Sequence, residues 1–219
     1  MTDQSSHPNP LNVTWLHGTK SEKFATWTCP PPPPGPAEVP HSAIFFTSDR
    51  SFAEGAGTNI AAVQLHPDAK IITPVQGGTQ SSKLRNALLS SHRLAAQCKW
   101  LVDDKAWIGG WSTGEIMRFA YDKHDRKAVM VVEQAVADIA AQLRKLIKGQ
   151  MSNEAILKHA QLCLTRAWIE QIVQVSRKSG FQVVHGLEVD KGEHQQGPAV
   201  AMPWLAVMDQ SVISAPNWI

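Results

Sequence analysis

Trp15-Leu16-His17-Gly18-Thr19 and, further along, Ile44-Phe45-Phe46-Thr47-Ser48-Asp49 are the stretches whose reading decides the fold. In each, an apolar run suited to a short buried strand stops at small, hydroxyl-bearing or acidic residues. Two strands ending this way bring both polar termini to one cleft. Working outward, Val13 to Leu16 reads as the first strand and His41 to Thr47 as the second. Asp49 is placed to cap a short helix from Arg50 to Ala56 that stops at Gly57. Ile60 to Leu65 and Ala69 to Pro74 read as two more strands around a His66-Pro67-Asp68 turn.

Between the two opening stretches lies an uninterrupted Pro30-to-Pro34 run, followed by Gly35 and Pro36. Lacking N–H donors, such a run joins neither sheet nor helix and is expected as an extended polyproline II loop. It reads as a stiff linker, as a ligand for a proline-binding domain, or as a loop over the cleft.

Helical patterning takes over after Gly77-Gly78. Ser82 to Leu101 carries Leu84, Leu88, Leu94, Ala95, Cys98 and Leu101 at helical intervals, while Gly109, Gly110 and Gly114 mark a loop amid Trp107, Trp111 and Phe119. Residues 126–148 hold a clear apolar stripe from Val129 to Ile147. Ser152 precedes a second long helix, Asn153 to Ser179, which stops at Gly180. Strand character returns at Phe181 to Val184 and His185 to Val189. A polar loop, Asp190 to Gly197, then leads to Pro203-Trp204-Leu205-Ala206-Val207-Met208-Asp209. The order strands, helices, strands predicts an α+β fold whose sheet is completed by both chain ends. One domain over 1–219, with a helical insertion at about 80–178, is the expected organisation.

Composition narrows the classes. A length of 219 residues with 43% hydrophobic and 18% charged residues is ordinary for a soluble globular protein with a sizeable core. A net charge of +2 gives no reason to expect a broad nucleic-acid or anionic-membrane surface. Cys29, Cys98 and Cys163 are odd in number and irregularly spaced, which suits a reduced, intracellular protein. The polar start, Met1 to Ser6, lacks the apolar core of a signal peptide, and no run of about 18 apolar residues is present. The expected setting is the cytoplasm with no membrane partner, or delivery into another cell by a signal-free route.

The His-Gly-Thr and Phe-Phe-Thr pair resembles the first two motifs of the ADP-ribosyltransferase superfamily, in its poly(ADP-ribose) polymerase-like or diphtheria-toxin-like branch. The resemblance covers about residues 12–75 and 180–214. It implies a split β-sheet built from N- and C-terminal strands, NAD as substrate, and no metal. It also implies an effector or toxin, of bacterial or phage type, that modifies an unknown macromolecular acceptor, protein or nucleic acid.

Cleaving the nicotinamide–ribose bond passes through a ribosyl cation, so the site must hold the donor and stabilise positive charge. His17 would hold a ribose hydroxyl, Gly18 would let its backbone approach the carboxamide, and Thr19 would add a hydroxyl. Phe45 takes the place of the family's tyrosine in the second motif. It keeps a stacking face for nicotinamide and lacks the hydroxyl. Since Phe45 and Phe46 alternate on a strand, one of them belongs to the core. Ser51 to Ala53 resembles the small-residue helix start that lines the nicotinamide pocket.

The family's third motif supplies a catalytic glutamate, and here that position falls on Trp204 or Pro203. Glu188, on the neighbouring strand, is the nearest replacement, and Glu193 is the next. The same residues also fit a catalytically inactive binding protein on this scaffold, recognising a nucleotide or a protein partner. A related RNA-repair phosphotransferase would want basic residues along the cleft, for which Lys20, Lys23 and Arg50 are few and scattered. His159 and Cys163 share a helix face, with His185 and His194 further on, but without a clear ligand set they read as packing. Trp100, Trp107, Trp111 and Trp168 read as aromatic core, or as an interaction surface.

Overall fold

β2 (Ile44–Thr47) and β1 (Trp15–Thr19) lie side by side in a seven-stranded sheet of order β4-β5-β6-β2-β1-β3-β7. The remaining strands are β3 (Asn59–Val63), β4 (Ile71–Ile72), β5 (Val183–Val189), β6 (Ala201–Val207) and β7 (Asn217–Trp218). Among the described residues, five α-helices accompany them: α1 (Arg50–Ala56), α2 (Gly78–Ser91), α3 (Asp104–Ser112), α4 (Arg126–Ile147) and α5 (Asn153–Lys178). The computed structural model describes residues 8–32, 35, 37–91, 93–147, 149, 151–189 and 201–219. The architecture is α+β in one mixed sheet, with its strands drawn from both parts of the chain, as the strand-helix-strand order predicts.

Register shows where the sheet is weakest. β1 pairs with β3 at five positions, from Trp15↔Val63 to Thr19↔Asn59, and β2 pairs with β6 at four, from Ile44↔Val207 to Thr47↔Trp204. β1 meets β2 at Leu16↔Thr47 alone among the described residues. Beyond that pair the strands part, so His17 and Gly18 on one side and Phe45 and Phe46 on the other border an opening between two halves of the sheet. One row of partners, Gly186–Trp204–Thr47–Leu16, crosses β5, β6, β2 and β1 on a single face. Alternation then puts Phe45 and Glu188 on that face, and His17 and Phe46 on the other.

Each face is buried against its own partner. On the first face, one core joins Ile72, Val184, Trp204, Ala206 and Met208 of the sheet side to Leu84, Leu88, Trp107, Trp111, Val132, Ala140, Trp168 and Ile172 of the helices. On the second, Trp15, Trp27, Ile44, Phe46, Leu205 and Val207 pack together under the N-terminal loop and the Val212-Ile213 turn. Trp107, Trp111 and Trp168 are fully buried, which makes them core rather than interaction surface. Trp100 is half-buried, with Lys99 Nζ 4.1 Å from its ring centre.

Several elements differ from expectation for physical reasons. β1 starts at Trp15 and runs through the His-Gly-Thr triplet, because pairing with β3 carries the ladder to Thr19. β2 starts at Ile44 rather than His41. The backbone of Ser42 is taken by α5 instead: its N–H donates to Glu170 (2.8 Å) and its carbonyl accepts from Arg177. The strands expected over 60–65 and 69–74 shorten to β3 and β4, which are not neighbours in the sheet. β3 lies beside β1, whereas β4 runs parallel to β5 at the far edge. The helix expected over 82–101 ends at Ser91, and 3-10 turns at Ala95–Gln97 and Lys99–Leu101 bury the remaining apolar residues.

Gly109 and Gly110 lie inside α3, which Asp103 caps by accepting from Ala106 N–H (2.7 Å). A Cβ on Gly110 would sit 2.7 Å from the Trp100 ring, so close ring packing, rather than a loop, explains that glycine. Gly114, just past the helix, does turn the chain, at φ +71°. The caps of α1 and α5 match expectation. Asp49 accepts from Phe52 N–H (2.8 Å), Ser152 accepts from Ala155 N–H (3.2 Å), and α5 stops at Gly180 with φ +86°.

Candidate active site

Where β1 and β2 part, a cleft of about 790 Å³ opens onto the surface. Its floor is Leu16, His17 and Gly18 of β1 with Phe45, Phe46 and Thr47 of β2. α1 forms one wall through Ser51, Phe52 and Ala53. The facing wall is one side of α5, made by Leu162, Thr165, Arg166 and Ile169. Pro31, Pro32, Glu38, Val39 and His41 close a third side, and Arg118, Glu188 and Trp204 a fourth. His17, Gly18, Phe45, Ser51 and Glu188 therefore share one cavity.

His17 is the wedge in the parting. Its Nδ1–H donates to the Phe45 carbonyl (2.8 Å), beyond the single Leu16↔Thr47 pair. A carbonyl only accepts, so Nδ1 carries the proton and Nε2 is left as an acceptor. The ring meets Trp27 edge-on (centroids 5.3 Å, 87°) and tilts against Phe46 (5.6 Å). Burial lowers its pKa below 6.5, against a smaller opposing effect of the Phe45 carbonyl, so the imidazole is neutral at pH 7.

Phe45 is half-buried on the opposite face. It stacks on Trp204 (5.5 Å, 23°) and takes His41 at its edge (4.8 Å, 87°). Phe46, 2% exposed, is the core member of the pair. One Phe45 face is thus already covered by Trp204. His17 and Phe45 reach the same cleft from opposite faces, because the strands diverge between them.

Gly18 is glycine for a reason additional to ligand approach. A Cβ there would lie 1.8 Å from the Ala53 carbonyl oxygen, so α1 packs directly on the β1 backbone. Thr19 lies off the cleft, and its hydroxyl accepts from Ser21 N–H (3.0 Å). Ser51 lines the cleft while its hydroxyl donates to Asp49 (2.6 Å). Glu188 sits one strand over and two residues along from Trp204, about 8 Å between Cα atoms on standard sheet spacings. Arg118 lies 3.5 Å from its carboxylate and also donates to the Val189 carbonyl (Nε 3.1 Å). Glu193, His194 and the loop around them lie outside the described residues.

The other side chains singled out in the sequence have the following surroundings. His159 Nε2 (3.0 Å) and Cys163 Sγ (3.7 Å) both reach the Ala37 carbonyl, which ties the segment after the prolines to α5. His185 is buried on the other sheet face, 3.4 Å from the Thr73 hydroxyl. Among the described residues no group of three or more His, Cys, Asp or Glu could hold a metal ion, and no helix is long and apolar enough to cross a membrane. Pro31 and Pro32 border the cleft, which fits the cleft-loop reading of the run; Pro33, Pro34 and Pro36 lie outside the described residues.

Sequence reasoning missed the α5 wall. Its signal was present: Leu162, Thr165, Arg166 and Ile169 follow i, i+3, i+4, i+7 spacing and form a single helix face. Lys20, Lys23 and Arg50 do not line the cleft, whereas Arg118 and Arg166 do. No family model matches this chain, and neither a curated protein nor a solved structure matches it.

Proposed function

We propose that this chain is an NAD-dependent ADP-ribosyltransferase that modifies a macromolecular acceptor, protein or nucleic acid, in the manner of an effector or toxin acting in a cytoplasm. The observation that carries the reading is the convergence of His17, Gly18, Phe45, Ser51 and Glu188 on one cleft at a parted sheet. Its volume falls within the roughly 300–1,000 Å³ of small-molecule and cofactor sites.

In this reading the neutral His17 accepts a hydrogen bond from a ribose hydroxyl at Nε2, and the Gly18 backbone meets the carboxamide. The free face of Phe45 covers the nicotinamide. Arg166, whose Glu38 partner is 3.5 Å away and half-exposed, is available to the diphosphate. The C1′–N bond breaks with its electron pair leaving on nicotinamide, and the Glu188 carboxylate stabilises the ribosyl cation. Labelled NAD added with cell lysate is expected to label an acceptor, and His17→Ala to abolish the labelling. Unchanged labelling by that variant would remove the assignment.

Trp204 favours a second reading. An aromatic ring in the expected glutamate position, stacked on Phe45, suits a binding protein that holds a nucleotide or partner without turnover. Nicotinamide release separates the two: binding of NAD without release selects this one.

A further inference from the structure

His41 and Glu170 form an arrangement that none of these assignments uses. His41 lines the cleft beside Phe45, and its Nδ1 is buried, without a hydrogen-bond partner, 3.8 Å from Glu170 Oε2 on α5. Glu170 is itself held rigidly. It accepts from Ser42 N–H (2.8 Å), the Ser42 hydroxyl (2.5 Å) and Gln174 Nε2 (2.7 Å). Three donors already satisfy this carboxylate, so the imidazole is not needed to complete its bonding. Its edge-on contact with Phe45 fixes the ring plane.

An imidazole whose Nδ1–H points at a carboxylate presents Nε2 on its far side as a lone pair. That is the construction of an oriented general base, and such contacts are often long before substrate binds. We infer that His41, positioned by Glu170, is the general base that takes the proton of a hydroxyl acceptor as its oxygen attacks the anomeric carbon. This inference rests on the transferase reading above.

The step balances. The acceptor O–C1′ bond forms and the C1′–nicotinamide bond breaks with its electron pair leaving on nicotinamide. The acceptor proton moves to His41 Nε2, and the resulting imidazolium faces Glu170. The substrate class is therefore an alcohol, a side-chain or ribose hydroxyl, with water as the default acceptor when none is supplied. The charged and titratable groups around His41 are Glu170 and Arg166 of α5, Glu38 of the preceding loop, and His17, Arg118 and Glu188 across the cleft.

The test follows nicotinamide release and NAD binding by the full chain, with equilibrium dialysis for affinity. His41→Ala is expected to lower turnover by about 10²-fold or more, with the NAD dissociation constant unchanged and activity partly restored by added imidazole. Glu170→Gln is expected to lower kcat by roughly tenfold or more with KM unchanged. His41→Gln is the second variant should the alanine form fail to fold. Wild-type turnover retained in His41→Ala or His41→Gln overturns the base assignment alone, and so does a loss that tracks NAD affinity and ignores imidazole. A wild-type chain that releases no nicotinamide overturns the transferase reading and the base with it.

Discussion

Glu170→Gln is the perturbation whose size the structure lets one work out. Burial pushes this carboxyl up, but the neighbouring His41 imidazole and the hydrogen bonds from Ser42 and Gln174 outweigh it and hold the pKa at about 2, against an ordinary 4.5. At about 1.4 kcal/mol per pH unit, that difference is an upper bound of about 3.5 kcal/mol of stability at neutral pH. Solvent reaches part of the carboxylate, whose side chain is 19% exposed, and screening trims the expected contribution to about 1–2 kcal/mol.

The sign follows from linkage. Between pH 4.5 and about 2 the unfolded chain binds a proton at Glu170 and the folded chain does not, so stability falls as pH drops through that window. Urea melts of wild type and variant at pH 7 and at pH 2.5 measure this directly. The variant is expected to be weaker by about 1–2 kcal/mol at pH 7, with the gap closing toward pH 2.5. A gap that is absent at pH 7, or the same at both pH values, refutes the view that the ionised network pins Ser42 and the start of β2 to α5.

Further outcomes are expected around the cleft. Gly18→Ala drives a methyl into the Ala53 carbonyl, so thermal melts should show a loss of about 1–3 kcal/mol and dialysis a weaker NAD affinity as α1 shifts. Because burial lowers the His17 pKa, NAD affinity should be flat from pH 8 down to 6.5 and decline only below it; a decline already complete at pH 7 would contradict a neutral imidazole. Glu188→Gln should cut nicotinamide release by about 10²–10³-fold while leaving NAD bound, as read by chromatography and dialysis. Arg166→Ala should raise the NAD dissociation constant and leave nicotinamide affinity unchanged, since nicotinamide lacks the diphosphate.

Much of the frame was legible because local signals and tertiary structure agree. Asp49, Ser152 and Gly180 marked helix ends, and the apolar stripe of α4 packs Val132, Val136, Ala140 and Leu143 into the core. Signals failed where distant partners decide conformation. No local pattern around His41 reveals that Glu170, well over a hundred residues later, removes Ser42 from the β2 ladder. Gly109 and Gly110 punctuate the sequence like a loop, yet both lie within α3, where the Trp100 ring packs against Gly110.

The site divides in the same way. His17, Gly18, Phe45 and Glu188 could be read from motif positions and strand alternation. The parting of β1 from β2, the Trp204 stack and the α5 wall depend on register between segments far apart in the chain.

A crystal structure of the protein soaked with NAD tests the central claim most directly. The account predicts the dinucleotide in the cleft between α1 and α5, its nicotinamide over Phe45, its ribose at His17 Nε2, and the anomeric carbon nearest the Glu188 carboxylate. A cleft left empty at saturating NAD, or a dinucleotide bound elsewhere on the molecule, would contradict it.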